Sequence, residues 1–124
     1  MRAQVLYEYD PQMKNDVWVK EAEWADPKIA KSSDVIVKIG AAGVCRTDLH
    51  IIEGVWRHIQ DPDNKLLPCI MGHENAGWVE EVGADVTTFK KGDAVILHPL
   101  ISGTDGTCLS CRRGHDMHAK DGAF

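Results

Sequence analysis

The chain has 124 residues, of which 44% are apolar and 27% charged, and its formal net charge is −5 at pH 7. These values are typical of one globular domain with a modest core, and the negative charge argues against a surface that binds nucleic acid. No apolar run is long enough to cross a bilayer, and the N-terminus lacks the apolar segment of a secretory signal. We therefore expect no membrane partner and a cytoplasmic location.

Short strands separated by glycines dominate the predicted secondary structure. The clearest is at 34–42, where β-branched residues such as Val35, Ile36 and Val37 follow one another. The other predicted elements are strands at 2–9, 16–23, 78–82 and 94–98 and a short helix at 47–53. This pattern predicts a mainly β fold, a small and partly open β-barrel with short helices. No GxGxxG motif follows a strand, so residues 1–124 contain no sequence typical of a dinucleotide-binding domain.

Four cysteines without a secretory signal indicate metal binding or catalysis more than disulfides. Cys45 precedes the predicted helix, where the helix dipole and the neighbouring Arg46 favour a thiolate. His73 supplies an imidazole, and Glu74 beside it supplies a carboxylate. Thiolate and neutral imidazole are good zinc ligands, and Asp48 could accept the other ring N–H of a zinc-bound histidine. Cys45 as a buried apolar thiol and His73 as a core histidine are the structural alternatives.

Two segments resemble the zinc-dependent alcohol dehydrogenases of the medium-chain dehydrogenase/reductase superfamily. Residues 43–50 read GVCRTDLH and resemble the first zinc-ligand segment of that family, and residues 92–95 resemble its later turn and strand. The family's signature matches at every fixed position, namely Gly72, His73, Glu74, Gly77, Gly83 and Val86. The resemblance runs from the first strand to the last residue. It implies that residues 1–124 form the N-terminal part of a GroES-like catalytic domain, which in the family precedes a Rossmann domain for NAD or NADP.

The resemblance also implies a reaction, in which hydride passes between a small alcohol or aldehyde and the nicotinamide cofactor while zinc acts as a Lewis acid. The implied roles are zinc ligation by Cys45 and His73, exchangeable ligation by Glu74, proton transfer from Thr47 to His50, contact of Arg46 with the cofactor pyrophosphate, and support of the metal by Asp48. The family's third protein ligand lies further along the chain than Phe124. We therefore expect residues 1–124 alone to bind zinc weakly and to be inactive.

Three of these residues have simpler interpretations that stay open. Thr47 could be a helix N-cap, His50 a surface histidine, and Arg46 a solvated charge. Among the aromatic residues, Trp56 is a candidate for the substrate cleft, whereas Trp18, Trp24 and Trp78 are expected in the core. Cys69 matches no ligand position and is expected to be a small core residue.

The segment at about 101–124 resembles a degenerate structural-zinc lobe. The family pattern is C-x-x-C-x-x-C-x₇-C, and here Cys108 and Cys111 fit its second and third positions. Asp105 occupies the first position and could ligate through oxygen, but Ala119 occupies the fourth and cannot ligate. His115 and His118 are possible substitutes. The alternatives are a lobe without metal or a disulfide between the two cysteines.

A second class of function also fits the sequence, namely a GroES-like metal-binding or assembly module without catalytic activity. A catalytic domain separated from its cofactor domain should expose apolar surface. We therefore expect self-association, for instance by strand pairing at an open barrel edge.

Overall fold

The computed structural model describes residues 1–99, 108–115 and 118. Its elements are six strands and three short helices within this part of the chain. The strands are β1 (Arg2–Leu6), β2 (Val19–Glu23), β3 (Val35–Gly43), β4 (Cys69–Ile70), β5 (Glu74–Val82) and β6 (Ala94–Ile96). The helices are α1 (Arg46–Glu53), α2 (Arg57–Gln60) and α3 (Leu109–Arg112). Within the described part of the chain, no helix combines the length and the apolar character that a membrane span requires.

The first sheet has β1 at its centre, with β2 on one side and β4 on the other, and both neighbours are antiparallel to β1. The central strand contributes most of the core, because Val5 and Leu6 are fully buried and Ala3 is nearly so. The other buried apolar side chains among the described residues are Ile52 of α1 and Val79 of β5. The core is therefore small and draws on both sheets and on the first helix.

The second sheet positions the functional residues. Its order is β3-β5-β6, with antiparallel pairing throughout. The register pairs Val35 with Val82 at one end and Gly43 with Glu74 at the other. Because the chain leaves β3 at the same end at which it enters β5, the residue two positions after Gly43 and the residue just before Glu74 must lie close together. Those residues are Cys45 and His73.

The expected mainly β class with short helices is confirmed. In the described residues the strands form two separate three-stranded sheets, so the barrel is not closed. Several predicted strand bounds were wrong. The strand expected at 2–9 ends at Leu6, whose pairing with Val19 is the last of the ladder between β1 and β2. The strand expected at 78–82 begins earlier, at Glu74, because its pairing with β3 extends to Gly43. The strand β4 and the helices α2 and α3 were not predicted.

The expectation that Trp24 and Trp78 lie in the core was wrong, since their exposed fractions are 36% and 53%. Trp78 lies on the open face of the second sheet, where its ring covers the Cα of Gly40. A Cβ at position 40 would overlap that ring. The aromatic side chain therefore packs on sheet backbone and remains half in solvent.

Candidate metal centre

Two residues of the predicted zinc site that are distant in sequence lie next to each other. Cys45 Sγ is 3.5 Å from His73 Nε2, although 28 positions separate them in sequence. One ligand atom from each of Cys45, His73 and Glu74 lies within 4.8 Å of the others. Within the described residues, this is the one group of three or more such side chains with this spacing. Cys45 and His73 are half-buried and Glu74 is exposed, so the cluster opens to solvent on the carboxylate side.

Cys45 is fixed by its position as the N-cap of α1. Its sulfur accepts a hydrogen bond from the backbone N–H of Thr47 at 3.3 Å. Its own backbone N–H donates to Asp48 Oδ2 at 2.9 Å, which completes a capping box. The interpretation of Thr47 as the N-cap is therefore wrong, because Thr47 lies inside the first turn. The cap orients the sulfur toward the start of the second sheet's central strand.

The imidazole of His73 faces a different side chain at each nitrogen. Nε2 faces the sulfur of Cys45, while Nδ1 lies 3.2 Å from Asp48 Oδ1. The angle of the second contact falls outside hydrogen-bond geometry, and Nδ1 is a buried polar atom without a hydrogen-bond partner. A small rotation of the ring would give Nδ1 an acceptor in Asp48, whose side chain is only 8% exposed.

Glu74 reaches the cluster because Gly43 opposes it in the sheet. A Cβ built at position 43 would overlap the Glu74 carboxylate. The glycine therefore leaves the space in which the carboxylate lies against β3. Gly72, which directly precedes His73, has φ +107°, a conformation that residues with a Cβ rarely adopt. Gly43 is thus needed for the space that Glu74 occupies, and Gly72 for the turn that leads into His73.

The residues fit a zinc ion by donor type and by spacing. A thiolate, an imidazole and a carboxylate are the donors that zinc takes in proteins. A sulfur and a nitrogen that both bind one zinc ion at the usual bond lengths, with a tetrahedral S–Zn–N angle, are about 3.6 Å apart. The sulfur and Nε2 are 3.5 Å apart here. The unpartnered Nδ1 beside Asp48 also fits, because metal-bound histidines usually donate their other N–H to a carboxylate.

Cys69 lies outside this cluster. Burial raises the pKa of its thiol, and Asp61 adds to that shift. Its sulfur is 4.0 Å from the sulfur of Met71, and it is half-buried. A protonated, half-buried thiol is a poor ligand and a poor nucleophile. Because Cys69 is half-buried and is not one of the buried core residues, the expectation that it lies in the core was wrong.

The predicted proton-transfer residues lie along α1. Thr47 and His50 are one turn apart, a spacing that places side chains on the same helix face. His50 Nδ1 is 3.0 Å from Glu53 Oε2, and the His50 ring meets the Trp56 ring edge-on at a centroid distance of 5.2 Å. With a side chain that is 29% exposed, His50 is held by specific neighbours instead of pointing freely into solvent.

Glu53 was missed in the sequence analysis. The signal that could have found it is the spacing of three residues from His50 within a predicted helix. The second carboxylate oxygen of Glu53, Oε1, lies 3.7 Å from Arg46 Nη2. Arg46 is 68% exposed, so this pair is screened by water and contributes little to stability. Arg46 therefore keeps an exposed guanidinium beside the cluster, as a residue that contacts a phosphate group requires.

The segment of the predicted structural-zinc lobe is described only in part. Cys108 stands before α3 and Cys111 lies within it, and both are half-buried. The rings of His115 and His118 meet edge-on at a centroid distance of 6.4 Å. Asp105 and Ala119 lie outside the described residues. Zinc binding by Asp105, Cys108 and Cys111 therefore stays a prediction.

A separate polar cluster ties the end of α2 to the segment that follows β1, and it is structural. Tyr9 Oη donates to Asp61 Oδ2 at 2.7 Å. Burial and this hydrogen bond raise the pKa of Tyr9 to about 12. Burial alone would raise the pKa of Asp61, but hydrogen bonds from Tyr9 and from the N–H groups of Leu66 and Lys65 outweigh it and lower that pKa. Residues 62–65 are exposed, whereas Asp61 is only 4% exposed.

Comparisons with known proteins point to one family. The family model described as "Alcohol dehydrogenase GroES-like domain" matches residues 31–124. The chain is 36% identical over 119 residues to an NAD-dependent alcohol dehydrogenase of Sulfolobus acidocaldarius, covering 95% of this chain and 32% of that protein. It is 42% identical over 87 residues to an uncharacterized zinc-type alcohol dehydrogenase-like protein of Bacillus subtilis, covering 70% of this chain and 21% of that protein.

A solved structure extends the likeness to the whole chain. The alcohol dehydrogenase of the hyperthermophilic archaeon Aeropyrum pernix superposes with a TM-score of 0.81 and 42% identity, covering 100% of this chain and 33% of that one. The chain therefore spans between about a fifth and a third of the length of the proteins that it matches.

Proposed function

Because the chain belongs to the family of alcohol dehydrogenase GroES-like domains, we propose that it is the zinc-binding catalytic part of an NAD- or NADP-dependent alcohol dehydrogenase. The substrate would be a small alcohol or aldehyde. The observation that carries the proposal is the position of His73, whose Nε2 faces the Cys45 sulfur while Nδ1 faces Asp48. This is the arrangement that a zinc-ligating histidine needs on both sides of its ring.

Cys45, His73 and Glu74 would hold the zinc ion in this proposal. Bound zinc supplies Lewis acidity, which makes an alcohol oxygen easier to deprotonate and a carbonyl carbon easier to reduce. Cys45 and His73 are the inner, half-buried pair, and the exposed Glu74 is the side chain that can move away. Asp48 orients His73 and caps the helix that carries Cys45, so one carboxylate supports both inner ligands.

Proton transfer would run along α1. The Thr47 hydroxyl lies one helical turn before His50, and both side chains are half-buried. Thr47 can accept the proton of the substrate hydroxyl and pass its own proton to the imidazole, which then releases a proton to water. Arg46 is exposed next to this path and would contact the cofactor pyrophosphate. In the family that the chain resembles, a separate Rossmann domain binds the nicotinamide cofactor, and residues 1–124 contain no GxGxxG motif.

Metal analysis and an activity assay on the 124-residue chain test this proposal. We expect roughly one zinc per chain at the Cys45 cluster and no turnover of alcohol with NAD⁺ or NADP⁺. Absence of zinc under saturating conditions would favour the alternative, a non-catalytic GroES-like assembly module. Turnover by the 124 residues alone would contradict the inactivity that we propose for them. The cytoplasmic location stays a prediction.

A further inference from the structure

We propose that Glu53 is a positioning residue that holds the imidazole of His50 in the tautomer with hydrogen on Nδ1. In this state Nε2 keeps its lone pair and is the atom that accepts a proton. The inference rests on the proposed function in one respect, since that function makes His50 the final acceptor of the alcohol proton. The orientation of the ring is argued from contacts of His50 alone.

The contact between the two side chains is short and partly shielded from water. His50 Nδ1 lies 3.0 Å from Glu53 Oε2, and the side chains are 29% and 20% exposed. An ionised carboxylate has no hydrogen to donate, so the imidazole nitrogen that faces it must be the donor. A neutral imidazole carries one hydrogen, and placing it on Nδ1 leaves Nε2 without one.

A second side chain restrains the same ring. The indole of Trp56 meets His50 at a centroid distance of 5.2 Å and an interplanar angle of 62°. This edge-on contact disfavours rotation of the imidazole away from Glu53. Gly54 separates the helix from Trp56 and has φ +71°, the left-handed conformation that ends α1 and turns the chain back. The end of the helix thus brings Trp56 to the ring that Glu53 holds.

Arg46 does not compete effectively for Glu53. Arg46 Nη2 lies 3.7 Å from Glu53 Oε1, whereas His50 contacts Glu53 Oε2, so the two partners use different oxygens of the carboxylate. The arginine contact is longer and more exposed than the histidine contact. The pair with His50 therefore determines which imidazole nitrogen carries the hydrogen.

The tautomer matters because only a nitrogen lone pair can accept a proton. With hydrogen on Nδ1, Thr47 takes the proton of the substrate hydroxyl while its own hydroxyl proton bonds to Nε2, which gives an imidazolium whose Nδ1–H still donates to Glu53. Loss of the Nε2 proton to water restores the starting state, so the cycle consumes no further reactant. With hydrogen on Nε2, that nitrogen would have to lose its proton first.

Nitrogen-15 NMR of the histidine rings tests the inference in the 124-residue chain, at a pH where His50 is neutral. A His50→Gln variant assigns the signals. We expect the wild-type chain to show hydrogen on Nδ1. Glu53→Gln should keep this tautomer, because its side-chain carbonyl still accepts. Glu53→Met should shift the ring toward hydrogen on Nε2, and the exposed control Glu81→Met should leave it unchanged.

A wild-type spectrum with hydrogen on Nε2 would overturn the inference, even if Glu53→Met did not fold. An unchanged tautomer in folded Glu53→Met would overturn it as well. Zinc affinity, measured on the same samples, separates this result from the proposed function. Glu53 is not in the metal cluster, so Glu53→Met should bind zinc as the wild type does. Failure of the wild-type chain to bind zinc would refute the proposed function and leave the tautomer assignment intact.

Discussion

Asp48 Oδ1 lies 3.2 Å from His73 Nδ1, on the side of the ring opposite the Cys45 sulfur. The other oxygen of the same carboxylate accepts the backbone N–H of Cys45 at 2.9 Å. One buried side chain therefore connects the two inner ligands of the proposed zinc site. Because one oxygen serves the cap of α1 and the other faces the imidazole, Asp48 couples the start of the helix to the orientation of His73.

Asp48→Asn should weaken zinc binding about ten- to hundredfold, the usual effect of removing a carboxylate that supports a metal-bound histidine. The amide oxygen can still accept one hydrogen bond, so the chain should remain folded. Competition with a chelator measures the affinity. Asp34→Asn is the matched control, since Asp34 accepts two backbone N–H groups in a loop away from the cluster. Equal zinc affinity in wild type and Asp48→Asn would remove Asp48 from the site.

Gly43→Ala should lower zinc affinity by displacing Glu74, because the new Cβ overlaps the carboxylate. We expect a loss of roughly fivefold to thirtyfold, or about 1–2 kcal/mol. The control is a double-mutant cycle with Glu74→Ala, again followed by chelator competition. If the glycine acts through Glu74, Gly43→Ala should have no further effect once Glu74 is absent. An equal loss in both backgrounds would show that the alanine disturbs the sheet instead.

Much of this site could be predicted from the sequence, because its ligands stand in two motifs with unusual residue types. The strand β3 was also predicted, since a β-branched run is a local signal, and the helix α1 was predicted to within one residue of its start. The meeting of Cys45 and His73 depends on the pairing of Gly43 with Glu74, which is a long-range register. Only the family resemblance predicted that Cys45 and His73 meet.

Features without a local signal were missed. β4 has two residues and exists only through its pairing with Val5 and Leu6 of β1. Trp78 is apolar and was expected in the core, but the sheet face that carries it is open among the described residues. The contact of Glu53 with His50 did have a local signal, their spacing within one helix, and it was overlooked because Glu53 lies outside both motifs.

Tyr9→Phe should make folding less stable at neutral pH and change its pH dependence. The pKa of Asp61 is lowered in the folded state, so this carboxylate stabilises the fold above about pH 4, its ordinary range, and less as the pH falls through its folded pKa. The pKa of Tyr9 is raised to about 12, so its contribution is complete below about pH 10 and is lost as the pH rises toward 12.

Urea unfolding at several pH values measures this effect. The stability difference between wild type and Tyr9→Phe should be greatest near neutral pH and should shrink in acid. Tyr7→Phe is the matched control, because Tyr7 is 47% exposed and makes no hydrogen bond to Asp61. A difference that stays constant from neutral pH into acid would show that the hydrogen bond to Asp61 is not its source.

Ile96→Lys should reduce self-association of the chain. Ile96 is 86% exposed on the edge strand β6, and its partner Ala76 and the half-exposed Trp78 share its face of the sheet. A charge at this position opposes burial of the face, and we expect dimer dissociation to become about tenfold easier. Light scattering over a range of concentrations measures it, with Val17→Lys as an exposed control outside the strands. A wild-type chain that stays monomeric throughout would refute the predicted association.

Cobalt(II) titration of a Cys108→Ser/Cys111→Ser chain tests whether Cys45 and His73 form a metal centre, because cobalt replaces zinc and its bond to a thiolate absorbs strongly in the near ultraviolet. With those two cysteines removed, we expect this absorption to persist, to saturate at roughly one cobalt per chain, and to be lost when Cys45→Ser is added. It should survive Cys69→Ser and weaken greatly with His73→Gln. Undiminished absorption after Cys45→Ser would show that Cys45 and His73 do not form the metal centre.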